Sequence, residues 1–245
     1  MPEYQRIVSL VPSLTELLID LGLKEQLVGR TRFCIHPEKE VQDIEIIGGT
    51  KNPNIEKILS LDPDFILANK EENQKEDIAE LSMQVNVRVT DIATINEALI
   101  AIFELGNLFD KKEKAEKLIA ETTSLIDQKP ESQPLRTAYL IWKDPWMTIG
   151  NDTYIHDVLE TYELENVYGE QKRYPKISLK ELAVKNPDFI LLSSEPYPFK
   201  EKHKAELRES FPSAKIELVN GQWFSWYGSR MPKAFKQLNE WRKKA

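Results

Sequence analysis

Apolar residues along the chain follow two alternating rhythms. Short apolar runs at 6–10 (RIVSL), 27–30 (LVGR), 64–68 (DFILA) and 87–90 (VRVT) have the length and branched side chains of buried strands. Between them, at 13–22, 54–60 and 74–83, apolar residues recur every three or four positions, as on one helix face. Ser13 and Glu16 stand at capping-box spacing with Gly22 at the helix end, and Asn54 opens the next helix. Strand and helix in alternation predict a largely parallel sheet covered by helices.

The middle of the chain is helical. Thr94 and Glu97 repeat the capping signal ahead of Ile95, Ala98, Leu99, Ile102 and Leu105. Asp110 and Glu113 repeat it before a charged helix that runs to about residue 128, ~27 Å long at 1.5 Å per residue. Pro130 and Pro134 break it. The alternation then restarts, with strands expected at 136–142, 188–193 and 215–219. Helices are expected at 153–160, at 178–184 (Ser178 and Glu181 in capping-box spacing), at 200–209 and at 232–243.

One phrase is written twice: LDPDFILAN at 61–69 returns 124 residues later as KNPDFILLS at 185–193. In each copy the proline forces the residue before it out of the helix, and an aspartate leads into a strand. The pattern predicts two α/β lobes with mainly parallel sheets flanked by helices, at 1–110 and 134–245, joined by one long helix over 111–133. Parallel sheets take ligands beyond the carboxyl ends of their strands, so two such lobes are expected to share a cleft.

Composition narrows the function. Apolar residues are 41% and charged residues 30%, as in a folded soluble protein, and the net charge of −7 gives no general footprint for nucleic acid. No run reaches the roughly 18 apolar residues of a membrane span. Cys34 is the single cysteine, so no intrachain disulfide forms. MPEYQRIVSL carries no basic-then-apolar leader. The expectation is therefore an extracytoplasmic protein if a leader was trimmed, a cytoplasmic one if the chain is native as written, and a monomer in either case.

The expected strand ends collect polar and aromatic residues. They carry Arg30, Arg32, Phe33, Cys34 and His36, then Thr50 and Lys51, then Asn69. The second half adds Trp142, Lys143, Trp146 and Tyr174, then Trp223, Phe224, Trp226 and Arg230. Four of the five tryptophans lie in these second-half loops, where an aromatic wall suits a flat or amphipathic ligand. Arg30, Arg32, Lys51, Lys143 and Arg230 suit carboxylates or phosphates on it. Against this stand the ordinary roles of a buried core ring and a solvated surface charge.

No nucleophile elbow, P-loop or dinucleotide fingerprint is present. Cys34 and His36 are a residue apart, but no third group orients them. His36, Cys34, Glu71, Glu72, His156 and Glu195 offer metal-ligand chemistry without zinc spacing, and His36 is the histidine expected to face a ligand. His156 reads as structural and His203, in a charged run, as solvated.

RIVSLVPSLTELLIDLGL, LVGRTRFCIHP, NPNIEKILSLDPDFILAN and ISLKELAVKNPDFILLS together resemble class III (single helical linker) periplasmic substrate-binding proteins of ABC transporters. The cobalamin- and iron-complex-binding subgroup is the most similar, and the resemblance covers nearly the whole chain. It implies a non-catalytic protein with no intrinsic cofactor that holds a corrinoid, haem or ferric siderophore between its lobes and meets an ABC permease. Phe33 and His36 match a loop that touches the corrin in cobalamin binders, and Tyr174 matches a further aromatic contact. Thr50 and Asn69 fall where that subgroup has ligand-facing tryptophans. Glu56 matches one of two glutamates that dock on the permease; the other position reads Lys180, with Glu181 beside it. The alternatives are a bare metal-ion receptor built on His36 with lobe carboxylates, and an enzyme using Cys34.

Overall fold

The structure, a computed structural model, describes residues 4–245. Its first half contains β1 (Ile7–Ser9), α1 (Pro12–Asp20), β2 (Leu27–Arg30), β3 (Glu45–Ile46), α2 (Ile55–Ser60), β4 (Phe65–Asn69), α3 (Lys75–Ser82), β5 (Asn86–Thr90) and α4 (Ile95–Leu108). Helix α5 (Lys112–Asp127) leads to β6 (Leu135–Leu140), α6 (Tyr154–Thr161), β7 (Leu164–Asn166), α7 (Leu179–Lys185), β8 (Phe189–Ser193), α8 (Glu201–Ser210), β9 (Lys215–Val219), α9 (Gln222–Ser225) and α10 (Met231–Arg242). One sheet runs β3-β2-β1-β4-β5 and the other β7-β6-β8-β9, with every strand pair parallel. This is the α/β class with helix-flanked parallel sheets that the alternation predicts.

The chain divides into two compact units. Of the described residues, the first takes 4–92, Asn96–Thr123 and Tyr227–Pro232; the second takes Ala93–Ile95, Ser124–Trp226 and Lys233–Ala245. One division falls inside α5, and Tyr227–Pro232, which leads into α10, counts with the first unit.

The doubled phrase builds the same joint in each unit. Asp62 and Asn186 adopt left-handed backbone, φ 48° and 45°, which short polar side chains tolerate, and so end the preceding helix ahead of the proline. Asp64 then accepts the N–H groups of Gln5 and Arg6 at 2.7 and 2.9 Å, while the Arg6 guanidinium donates to the carbonyls of Leu61 and Asp62. In the second unit Asp188 accepts the N–H of Arg136 at 3.0 Å, and the Arg136 guanidinium donates to the carbonyls of Lys185 and Asn186. Charge-assisted bonds of this kind are about twice as strong as neutral ones, and here they fix the register at which each DFIL strand enters its sheet. Strands β4 and β8 are buried at every position. Ile58, Ile66 and Ala68 in one core have their counterparts in Leu182, Ile190 and Leu192 of the other.

Of the expected capping boxes, Ser178 and Glu181 form one at the start of α7. Ser13 and Glu16 do not. Pro12 starts α1 early, because its fixed φ suits the first helical position, and this carries Ser13 and Glu16 inside the helix. Glu16 turns to Arg230 instead, at 2.6 and 2.8 Å. Gly228 makes that approach possible: it adopts φ +94°, and a Cβ there would stand 3.2 Å from the Ser13 carbonyl oxygen.

Candidate functional site

In the second unit, β6 and β8 deliver a connected set of rings at their carboxyl ends. Trp142 follows β6, is 38% exposed, and meets Tyr197 edge-on at 5.5 Å. Tyr197 packs on Phe199 at 4.7 Å, and Phe199 stacks on Trp146 at 5.9 Å and 7°. Lys143 lies 5.3 Å over Trp146 and is ion-paired with Glu206. Trp146 is thus covered on its ring and is part wall, part core; Trp142 is the open face. Tyr174 is also exposed. Tyr197, on the aromatic-proline run PYPF that follows β8, is the ring that supports Trp142.

His203 supports the same cluster from beneath. It is buried, contrary to the solvated reading, with its Nδ1 accepting the Lys200 N–H at 2.9 Å. Burial and then the neighbouring Lys202 hold the imidazole below its ordinary range. Three residues on from Lys200, it satisfies the N–H at the start of α8 with its own ring nitrogen.

Trp223 and Trp226 are half-buried around α9. Phe224, expected at the ligand, is instead fully buried: its ring packs on Tyr139 at 5.1 Å and on Trp241 at 6.1 Å. A single helical turn points Phe224 inward while its neighbours face outward. Gly221 lets this turn approach β8, since a Cβ there would stand 2.5 Å from Ser193 Oγ. The fifth tryptophan, Trp241, stacks on Phe189 at the amino end of β8, away from these loops.

In the first unit the loop after β2 exposes Phe33, with the Arg32 guanidinium 5.5 Å from its ring and also bonded to Asn52. Lys51 is exposed and donates to the Glu71 carbonyl; Thr50 is half-buried and its carbonyl accepts from Asn73. His36 is half-buried in a shallow pocket of about 360 Å³ with Ile35, Glu38 and Gln42. Among the described residues no group of three or more His, Cys, Asp and Glu is placed to hold a metal ion.

Three expected ligand groups serve the framework instead. Asn69 is buried: its Oδ1 accepts from Glu71 N–H at 2.8 Å, its amide donates to Thr90, and its own N–H is taken by Asn73. An Asn that satisfies the backbone just ahead of it is turn chemistry, and N-K-E-E-N after a strand is its signature. Arg30 is buried and clamps its own loop through the carbonyls of Val41 and Cys34, at 2.7 and 3.2 Å. Arg230 is held by Glu16.

Cys34 is fully buried, its sulfur within 3.1 Å of Thr15 Oγ1 and 3.2 Å of Thr31 Oγ1. Burial pushes the thiol up from its ordinary range, the reverse of what a nucleophile needs. This placement argues against Cys34 as a nucleophile. Native protein is expected to react with a thiol-specific disulfide reagent at least about 100-fold more slowly than protein in urea; stoichiometric labelling within seconds in buffer would contradict the buried site.

With this geometry in view, the chain's kinship is definite. It belongs to the periplasmic binding protein family, whose model matches residues 7–242. It is 29% identical over 203 residues to an uncharacterized ABC transporter substrate-binding lipoprotein of Bacillus subtilis, a match covering 77% of this chain and 63% of that protein's length. It is 24% identical over 249 residues to the vitamin B12-binding protein of Pectobacterium atrosepticum, covering 96% of this chain and 87% of the relative. A solved periplasmic haem-binding protein from Roseiflexus superposes with a TM-score of 0.84 at 18% identity, over 98% of each chain, a likeness of fold alone.

Proposed function

We propose that this protein is a non-catalytic, extracytoplasmic substrate-binding component of an ABC transporter, and that its ligand is a metal-centred macrocycle or chelate of the corrinoid, haem or ferric-siderophore kind. The observation that carries the reading is the exposed aromatic surface around Trp142 at the carboxyl ends of β6 and β8, braced by Tyr197 and Phe199. Family membership and the ligands named for the relatives support it. Phe33, Arg32, Lys51 and His36 are the candidate ligand residues of the first unit.

The permease contact is unequal between units. Glu56 is exposed in the first turn of α2. Lys180 is exposed on α7, and the Glu181 carboxylate is bonded to the Ser178 N–H at 2.7 Å, a cap bond that holds it below the usual carboxylate range. The first unit therefore offers a free docking carboxylate, and the second offers a cation at the equivalent place.

Tryptophan fluorescence titration with cyanocobalamin, haemin and a ferric siderophore tests the reading. Saturable quenching by one of them is expected. Trp142→Ala should weaken that affinity about tenfold or more, at an unchanged melting temperature, because an exposed aromatic platform contributes roughly 1–2 kcal/mol to stacking and little to folding. No quenching and no thermal shift with any of the three would overturn it.

A further inference from the structure

The segment beside the aromatic surface carries charge of one sign. Residues 171–180 read QKRYPKISLK, with Lys172, Arg173, Lys176 and Lys180 and no acid, in a chain whose net charge is −7. Its first part lies antiparallel to 146–150. The Thr148 N–H donates to the Pro175 carbonyl at 3.1 Å, the Gly150 N–H to that of Arg173 at 2.7 Å, and the Ile177 N–H to that of Trp146 at 2.9 Å. This register pairs Met147 with Lys176 on one side and with Trp142 on the other. Directly paired residues on antiparallel segments project to the same face. Trp142, Met147 and Lys176 therefore form one row: an aromatic ring, a thioether and an ammonium group.

The cations of this region differ in how they are held. Lys143 is paired with Glu206, and Arg173 with Asp152 at 3.6 Å. Lys172 and Lys176 are exposed, and no ion pair joins either to a carboxylate among the described residues. A ring on Trp142 would extend over Met147, a soft and adaptable filler, toward an ammonium group with no partner of its own. A neutral amide rim gains one hydrogen bond from that group; a carboxylate gains a stronger charge-assisted bond and is drawn by the local positive field.

We propose that Lys176, assisted by Lys172, reads a free carboxylate on the ligand, so that the ligand class is a flat chelate with peripheral carboxylates, such as an iron porphyrin, and not a macrocycle with a neutral amide rim. This rests on the binding-protein reading above and specifies its ligand. The test compares haemin, haemin with both carboxylates capped as methyl esters in the same dilute detergent, and cyanocobalamin. Each is titrated against the native protein, Lys176→Gln and the Lys172→Gln/Lys176→Gln double variant.

Haemin should bind tightest, and the double variant should weaken it about tenfold while moving the capped ester less than about twofold. Raising salt from 0.05 to 0.5 M should weaken haemin alone. Equal affinity for haemin and its ester, or no effect of the lysine substitutions, overturns the proposal. Tight binding of cyanocobalamin with none of haemin overturns it while leaving the binding-protein reading intact. Binding of none of the three, nor of a ferric siderophore, removes both.

Discussion

Alkali is expected to unfold this protein cooperatively about one pH unit above the ordinary phenol range. Four of its eight tyrosines, Tyr139, Tyr154, Tyr162 and Tyr168, are buried in the second unit, and burial raises the ionisation of each. Tyr139 donates to Ser193 and Tyr162 to Asn239, whereas the Tyr168 hydroxyl has no hydrogen-bond partner among the described residues and is pushed up to about 12, with Glu181 and Glu170 adding to the burial effect. The folded state thus keeps these protons at a pH where an unfolded chain, with phenols near 10, gives them up. Stability from this source is fully present below about pH 10 and is lost as pH climbs toward the folded values.

Each such tyrosine loses roughly 1.4 kcal/mol per pH unit in that window, so four together lose on the order of 5 kcal/mol by about pH 11. That is comparable with the whole stability of an ordinary domain, about 5–15 kcal/mol. Absorbance at 295 nm and far-UV circular dichroism should therefore change together for these residues. Complete phenol ionisation with the dichroism intact would contradict the burial.

The second large effect concerns Phe224. Phe224→Ala should cost about 3–5 kcal/mol of folding stability in urea, since a fully buried ring leaves a cavity that its neighbours fill only in part. Phe224→Leu should cost well under half as much. Set beside Trp142→Ala, the two substitutions separate roles that the sequence presents as one: Trp142 should govern affinity and leave stability alone, while Phe224 does the reverse. A Phe224→Ala protein that melts like the native one but fails to bind would place the ring at the ligand after all.

The architecture was legible because it is carried by local chemistry that has to be repeated wherever it is used. The Pro-Asp-Phe-Ile-Leu phrase needs its left-handed residue, proline and carboxylate in order, so both copies announce a buried strand. Strands β3 and β7 hold one apolar residue each beside Glu45, Glu165 and Asn166, and leave no apolar run to read. The site was less legible, because the same residue types serve ligands and frameworks. Arg30, Arg230 and Asn69 stand at strand ends or loops where a ligand group would stand, yet each is turned onto backbone carbonyls, a carboxylate or its own turn. Sequence spacing does not say which way such a side chain turns. His203 shows the converse: its charged neighbourhood conceals the inward face of α8, which it shares with Leu207.

The segment 227–232 has a consequence for how the protein is made. The first unit is not continuous in the chain: its long run ends at Thr123, and its last piece begins at Tyr227. At ordinary synthesis rates of 5–20 residues per second, the ribosome takes on the order of 5–20 s to cross that interval. Through all of it Glu16 waits in a nascent first unit without the guanidinium that will neutralise it. The amino-terminal half can set its sheet early, but the strap that brings Arg230 to Glu16 is translated only after the strands of the second unit.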